Sequence, residues 1–194
     1  SLGETWRRLR RPFAAIFGII VARSFAVAAM TTFLPSYLLG QGASLWFAGV
    51  SLSILEGAGV LGTLGAGSAS DRFGRRRVLA VVLAALPPLM LAFIALDGYW
   101  LLPLLVGIGL CTFATNPVMM ALVQDHAGEH PALANGLYMA LNFALRASIV
   151  VAVGALGDVL GLERTFWVCA LAALAGIPFL WLLPHQRPLA PPHR

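Results

Sequence analysis

The sequence predicts an all-α membrane protein of six transmembrane helices, and three observations carry that prediction. The first is composition: of 194 residues, 59% are hydrophobic and 11% charged, with mean hydropathy +0.85. A soluble domain carries about 25% charged residues, so this chain lacks the polar surface to cover itself in water. The second is length. Six apolar segments approach the ~20 residues a helix needs to cross a bilayer, at 13–39, 45–70, 76–96, 99–124, 132–157 and 164–184. The third is charge placement. The net charge of +5 comes from 13 arginines without a lysine, and most lie at the edges of apolar segments. That distribution points to membrane anchoring rather than nucleic acid.

Arginine asymmetry orients the chain. Arg7, Arg8, Arg10 and Arg11 precede the first segment, and Arg72, Arg75, Arg76 and Arg77 lie between the second and third. Arg187 and Arg194 follow the sixth, and Arg164 lies in a loop on the opposite side. The positive-inside rule makes the arginine-rich side cytoplasmic, with both termini there and the protein multi-pass in the cell (inner) membrane. The expected domains are a cytoplasmic Arg-rich lead-in at 1–12, a six-helix bundle at 13–184, and a Pro-rich disordered cytoplasmic tail at 185–194.

The segments differ in polarity. The first spaces Arg23, Met30 and Tyr37 by seven, with Ser24 and Thr31 adjacent. The second places Ser53, Glu56 and Thr63 on one helical face. The third, "VLAVVLAALPPLMLAFIAL", has no polar side chain and suits a helix that faces lipid all round. The fourth clusters Cys111, Thr112, Thr115 and Asn116 before Pro117. The fifth spaces Asn135, Asn142 and Arg146 by seven and four, again one face. The sixth is almost wholly apolar. Glycines such as Gly57, Gly59, Gly62, Gly65 and Gly67 are expected to let helices approach closely.

The order polar, polar, apolar therefore occurs twice, at 13–96 and 99–184. The loops echo it: "GSASDRFG" (Gly67, Asp71, Gly74) ends the second helix and "GALGDVLG" (Gly154, Asp158, Gly161) ends the fifth. With three helices per unit, the second copy is inverted across the membrane. Inverted repeats with central polar residues mark secondary transporters.

Arg23, Glu56 and Arg146 fall deep within apolar segments. A charge at the bilayer centre costs at least about 2.5–3.5 kcal/mol on insertion scales, so it needs a cavity or a partner. In the functional reading Glu56 titrates or binds a cation, while Arg23 and Arg146 hold an anionic substrate or pair with Glu56. The other reading is a buried ion pair that only fixes helix packing. Asn116-Pro117 is either a functional or a packing kink. Cys111 and Cys169 read as packing residues. His126 and His130 share a loop with Asp125 and Glu129, which reads as solvated rather than metal-binding. No nucleophile–base pair, metal cluster or phosphate-cradling loop argues for an enzyme.

The stretch "GAGSASDRFGRRRVL" resembles the signature between the second and third helices of the major facilitator superfamily. That pattern, G-x-x-x-D-R-x-G-R-R, is matched by Gly67, Asp71, Arg72, Gly74, Arg75 and Arg76. "ANGLYMALNFALRASIVVAVGALGDVLGL" resembles the eleventh helix of bacterial drug-efflux members of the fosmidomycin-resistance type. "FLPSYLLGQGASLWFAGVSLSILEGAGVLG" is similar to their seventh and eighth helices. The resemblance implies the C-terminal six-helix half of a twelve-helix fold, with which an opening without methionine agrees. It implies that the first, second, fourth and fifth helices line a substrate cavity, where the polar and charged residues Arg23, Tyr37, Glu56, Asn116, Asn142 and Arg146 are the expected substrate and proton pathway. It implies that Asp71, Arg72, Arg75 and Arg76 latch a cytoplasmic gate against a helix of the opposite half.

The expected activity is proton-coupled efflux of small, anionic or amphiphilic drugs or metabolites by alternating access. A metabolite uniporter or importer, or a non-transporting scaffold half, remains open. No cofactor and no metal is expected, with a proton gradient as the energy source. The expected partners are the lipid bilayer, an N-terminal six-helix half or a second copy of the chain, and a small-molecule substrate.

Overall fold

The computed structural model describes residues 17–126 and 131–178. They form α1 (Phe17–Gly40), α2 (Leu45–Phe73), α3 (Arg75–Ala95), α4 (Leu101–His126), α5 (Pro131–Leu160) and α6 (Leu162–Leu174), with no strand among the described residues. The first five are long and apolar enough to cross a membrane. The lead-in 1–12, residues 13–16 of the first expected span, the loop residues 127–130 with Glu129 and His130, residues 179–184 of the sixth expected span, and the tail 185–194 lie outside the described residues. The second to fifth expected spans fall on α2–α5 with ends shifted by up to three residues, and α6 ends at Leu174.

Local chemistry explains the breaks between helices. Proline at 35 cannot donate to the carbonyl four residues back, and its ring crowds that carbonyl. The turn before it, Ala29–Phe33, adopts a π-helical form, and the helix resumes at Leu34. Gly42 takes a positive φ of 85° to reverse the chain after α1, and the Ser44 hydroxyl accepts from the Phe47 N–H to start α2. Gly98, at φ 75°, opens the 3-10 turn Gly98–Trp100 ahead of α4. Tyr99 and Trp100 in that turn, with Trp46 at the start of α2, are exposed at the same end of the bundle. They form an aromatic girdle suited to the membrane–water interface.

The closest packing is between α2 and α4. Gly62 lies against the backbone carbonyl of Leu110, and Gly109 against that of Leu55. Gly59 lies under the Phe113 ring. A β-carbon at any of the three would collide with what it now touches. Two helices without a hydrophobic force between them in lipid gain by such backbone approach. The expectation for glycines thus holds at Gly59 and Gly62. Gly57, Gly65 and Gly67 face open space.

The third helix departs from expectation. Instead of facing lipid all round, α3 buries Leu79, Leu83, Leu86, Met90 and Phe93 in a stripe against α4 and α6. Its remaining faces, such as that of Val81, are open. An apolar helix carries no marker of which side packs, because lipid and protein interior are equally apolar. Pro87 and Pro88 sit within α3 without interrupting it. α5 is the least covered span: 11% of its apolar window is buried, against 44% for α4.

Two apolar clusters fill the bundle. One, toward the aromatic end, includes Tyr37, Phe93, Leu101 and Phe166. The other, toward the arginine-rich end, includes Ile19, Ile20, Leu79, Leu83, Val118, Met119 and Tyr138.

Candidate functional site

Arg23 sits one helical turn beyond Ile19 and Ile20 on α1, with its guanidinium aimed at α4. Nη1 donates to the Thr112 carbonyl at 3.0 Å and Nη2 to the Asn116 Oδ1 at 2.6 Å. The side chain is 5% exposed. Pro117 explains part of this geometry. It cannot donate to the carbonyl of Phe113, which loosens that turn, and the neighbouring Thr112 carbonyl is turned to Arg23. The expected fourth-segment cluster and the first-segment arginine are therefore one constellation.

No described carboxylate closes the charge of Arg23. The groups that act on it electrostatically are the neutral phenol of Tyr138 and the guanidinium of Arg146. Glu56 lies on the exposed face of α2, away from both arginines' bonds. The expected pairing of Glu56 with Arg23 or Arg146 does not form, because Ser51, Leu55, Ala58 and Gly59 turn to α4 while Glu56 turns outward.

Arg146 is also exposed and donates to the Thr31 Oγ1 at 3.3 Å. Thr31 belongs to the π-helical turn and in turn donates to the Val27 carbonyl at 2.8 Å. Asn142, one turn earlier on α5, is half-buried. Glu56 on α2 and Arg146 on α5 are thus both exposed, with Asn142 half-buried beside Arg146. At 1.5 Å per residue, Glu56 lies roughly 16 Å from the start of α2 and Arg146 roughly 22 Å from the start of α5, which is mid-span.

Tyr37 is placed elsewhere. It stacks on Phe166 at 4.3 Å and 16° and leans on Phe93 at 6.0 Å. Fourteen residues separate it from Arg23, roughly 21 Å of helix. It lines a separate cavity of about 610 Å³ at the aromatic end, with Gln41, Gly161, Glu163 and Arg164.

The two glycine motifs share one backbone device. Gly74 has φ 91° and ψ 135°, and Gly161 has φ 83° and ψ 151°. Each donates its N–H to the carbonyl four residues back at 3.0 Å, closing one helix, and each carbonyl accepts from the N–H four residues on, opening the next. Each motif is thus a one-residue hinge. Asp71 and Asp158 are exposed three residues before the hinge, and Gly67 and Gly154 lie seven residues before it. Gly154 admits the Phe33 ring.

The arginines after Gly74 are used within this chain. Arg75 Nη1 donates to the Ala121 carbonyl near the end of α4, where the helix dipole favours a cation. Arg72 is exposed and lies 5.6 Å from the Phe73 ring centroid, and Arg76 is half-buried. The polar residues singled out from the sequence do not include Tyr138, and they include Thr31 and Thr112 only as members of polar groups. Tyr138 was legible as a polar tip three residues after Asn135 on the same face. Among the described residues, no group of three or more His, Cys, Asp or Glu could hold a metal.

Residues 1–150 match the family model of the Major Facilitator Superfamily. The chain is 30% identical over 149 residues to the uncharacterized MFS-type transporter YqjV of Bacillus subtilis (strain 168). That match takes in 76% of this chain and 34% of the relative. It is also 30% identical over 131 residues to the uncharacterized MFS-type transporter YfnC of the same organism, 68% of this chain and 32% of that protein. The chain spans about a third of the length of these curated relatives. No solved structure matches it.

Proposed function

The chain belongs to the major facilitator superfamily, and from that premise we propose that it is the C-terminal half of a secondary active transporter. In this reading α1–α3 and α4–α6 are two inverted three-helix repeats, each ending its second helix at a glycine hinge. α1, α2, α4 and α5 line a cavity that a second six-helix half, or a second copy of the chain, closes. The relatives' length, about three times the matched portion, supports a partner half in the same polypeptide.

The single observation that carries the reading is that Glu56 on α2 and Arg146 on α5 are both exposed at mid-span. A carboxylate and a guanidinium exposed there would meet lipid at a cost of several kcal/mol, so they fit a water-filled pathway. Glu56 then carries the proton, while Arg146 and Arg23 attract an anionic or amphiphilic solute. The transport cycle is proton-coupled efflux across the inner membrane, with both termini cytoplasmic, as in the fosmidomycin-resistance type.

The test is solute-dependent proton flux in proteoliposomes made from the native protein under an imposed pH gradient. Flux that disappears in Glu56→Gln supports the reading. Solute movement that ignores the gradient and survives Glu56→Gln replaces it with uniport. A second reading is favoured by Arg23, whose bonds to Thr112 and Asn116 tie α1 to α4: the half is a membrane scaffold. Intact assembly without transport in any gradient would establish that.

A further inference from the structure

Resting on the reading of Arg23 as part of a solute pathway, we propose that Arg23, Tyr138 and Thr112 form a buried seat for one monovalent anion of carboxylate size. The charge comes first. Arg23 is buried and lacks a described carboxylate in electrostatic range. Arg146, the other cation in range, is exposed, so the buried charge to be closed is the single one of Arg23, and a dianion would leave a buried negative charge of its own.

The hydrogen bonds come second. A guanidinium has five N–H donors, and the bonds to Thr112 O and Asn116 Oδ1 place two of them. The Tyr138 hydroxyl, on a side chain 7% exposed, has no hydrogen-bond partner, and neither has the Thr112 hydroxyl, on a side chain 1% exposed. Native structures rarely leave such groups unpaired. Thr112 is the residue whose carbonyl already holds Arg23, and the Tyr138 phenol is within electrostatic range of the same guanidinium. Two buried hydroxyls, one on α4 and one on α5, therefore lack a partner beside a guanidinium that has donors to spare. A carboxylate brings two oxygens and about four acceptor positions. The seat fits either a free monovalent anion or the head of an organic solute.

The experiment uses the purified full chain in detergent, followed by thermal unfolding at constant ionic strength in sodium sulfate. Sodium acetate, sodium chloride, sodium benzoate and neutral acetamide are each titrated. Acetate is expected to raise the midpoint saturably and acetamide to leave it unmoved. Tyr138→Phe, which removes only the hydroxyl, is expected to raise the half-saturating acetate concentration about tenfold, the worth of one hydrogen bond to a charged group. Arg23→Gln is expected to abolish saturation; should it fail to fold, Tyr138→Phe carries the test. Equal binding of chloride and acetate assigns the seat to a free anion. Binding of acetate and benzoate without chloride assigns it to a solute's head group. Acetamide matching acetate, or unchanged half-saturation in Tyr138→Phe, overturns the proposal and leaves the orphan hydroxyl to a buried water. Bulk salt effects act on both proteins alike. The assay needs no gradient, so the seat can fail while Glu56-dependent proton flux stands, and the reverse.

Discussion

α4 and α5 begin from similar sequences and end in different surroundings. Both are long, apolar and interrupted by a polar cluster, and both are expected to line a cavity. In α4 the polar groups are engaged inside the bundle: Asn116 and Thr112 hold Arg23, and Gly109 meets the backbone of α2. In α5, Asn142 and Arg146 stand at the margin, and most of the helix is uncovered. The difference teaches that a polar stripe on a membrane helix demands a neighbour without saying which. In α4 the neighbours are α1 and α2. In α5 the demand is left to water, solute or another half.

The comparison is broken most forcefully at α4. Gly109→Leu forces a side chain into the Leu55 carbonyl, and overpacking costs typically about 1–3 kcal/mol and more where backbone is the obstacle. The expected outcome is loss of a cooperative unfolding transition in detergent, whereas Gly136→Leu on α5, where the space is open, leaves it intact. Next, Asn116→Ala strips a buried guanidinium of one acceptor and is expected to destabilise by about 1–3 kcal/mol. Asn142→Ala should cost less than half as much in the same denaturant titration. Equal losses would mean that α5 is as enclosed as α4.

The hinges give a smaller effect. Gly74→Ala and Gly161→Ala put a β-carbon on a positive φ with extended ψ, which costs about 1–3 kcal/mol at each. The two losses should agree within ~0.5 kcal/mol and add, since the hinges are distant. A large inequality would break the equivalence of the two motifs. The smallest expected effect is Arg146→Gln, whose unfolding midpoint should match that of the parent. A cysteine at 146 should react with a membrane-impermeant maleimide many times faster than one at 112, and comparable rates would erase the distinction between the helices.

Much of the architecture was legible in the residues. The placement of five spans follows from apolar length, since a bilayer accepts only segments that satisfy their own backbone. The glycines at 74 and 161 were legible as helix ends because the chain there needs a conformation other residues resist. The site was legible in part. Arg23 and Asn116 could each be named, but their contact spans 93 positions and no local pattern encodes it. The supposed pairing of Glu56 failed for a local reason: the small residues of α2 determine which face meets α4, and Glu56 is not on it.

The sequence by itself determined that this protein is helical, membrane-embedded and marked by two like hinges, because hydropathy, arginine placement and glycine stereochemistry act over a few residues. Which apolar stripe of α3 packs, which arginine is sealed in, and which buried hydroxyls lack a partner emerge only when the helices assemble. Those outcomes depend on which helix approaches which. Inside a bilayer that choice turns on backbone proximity and unsatisfied hydrogen bonds, neither of which is carried by the order of residues along one segment.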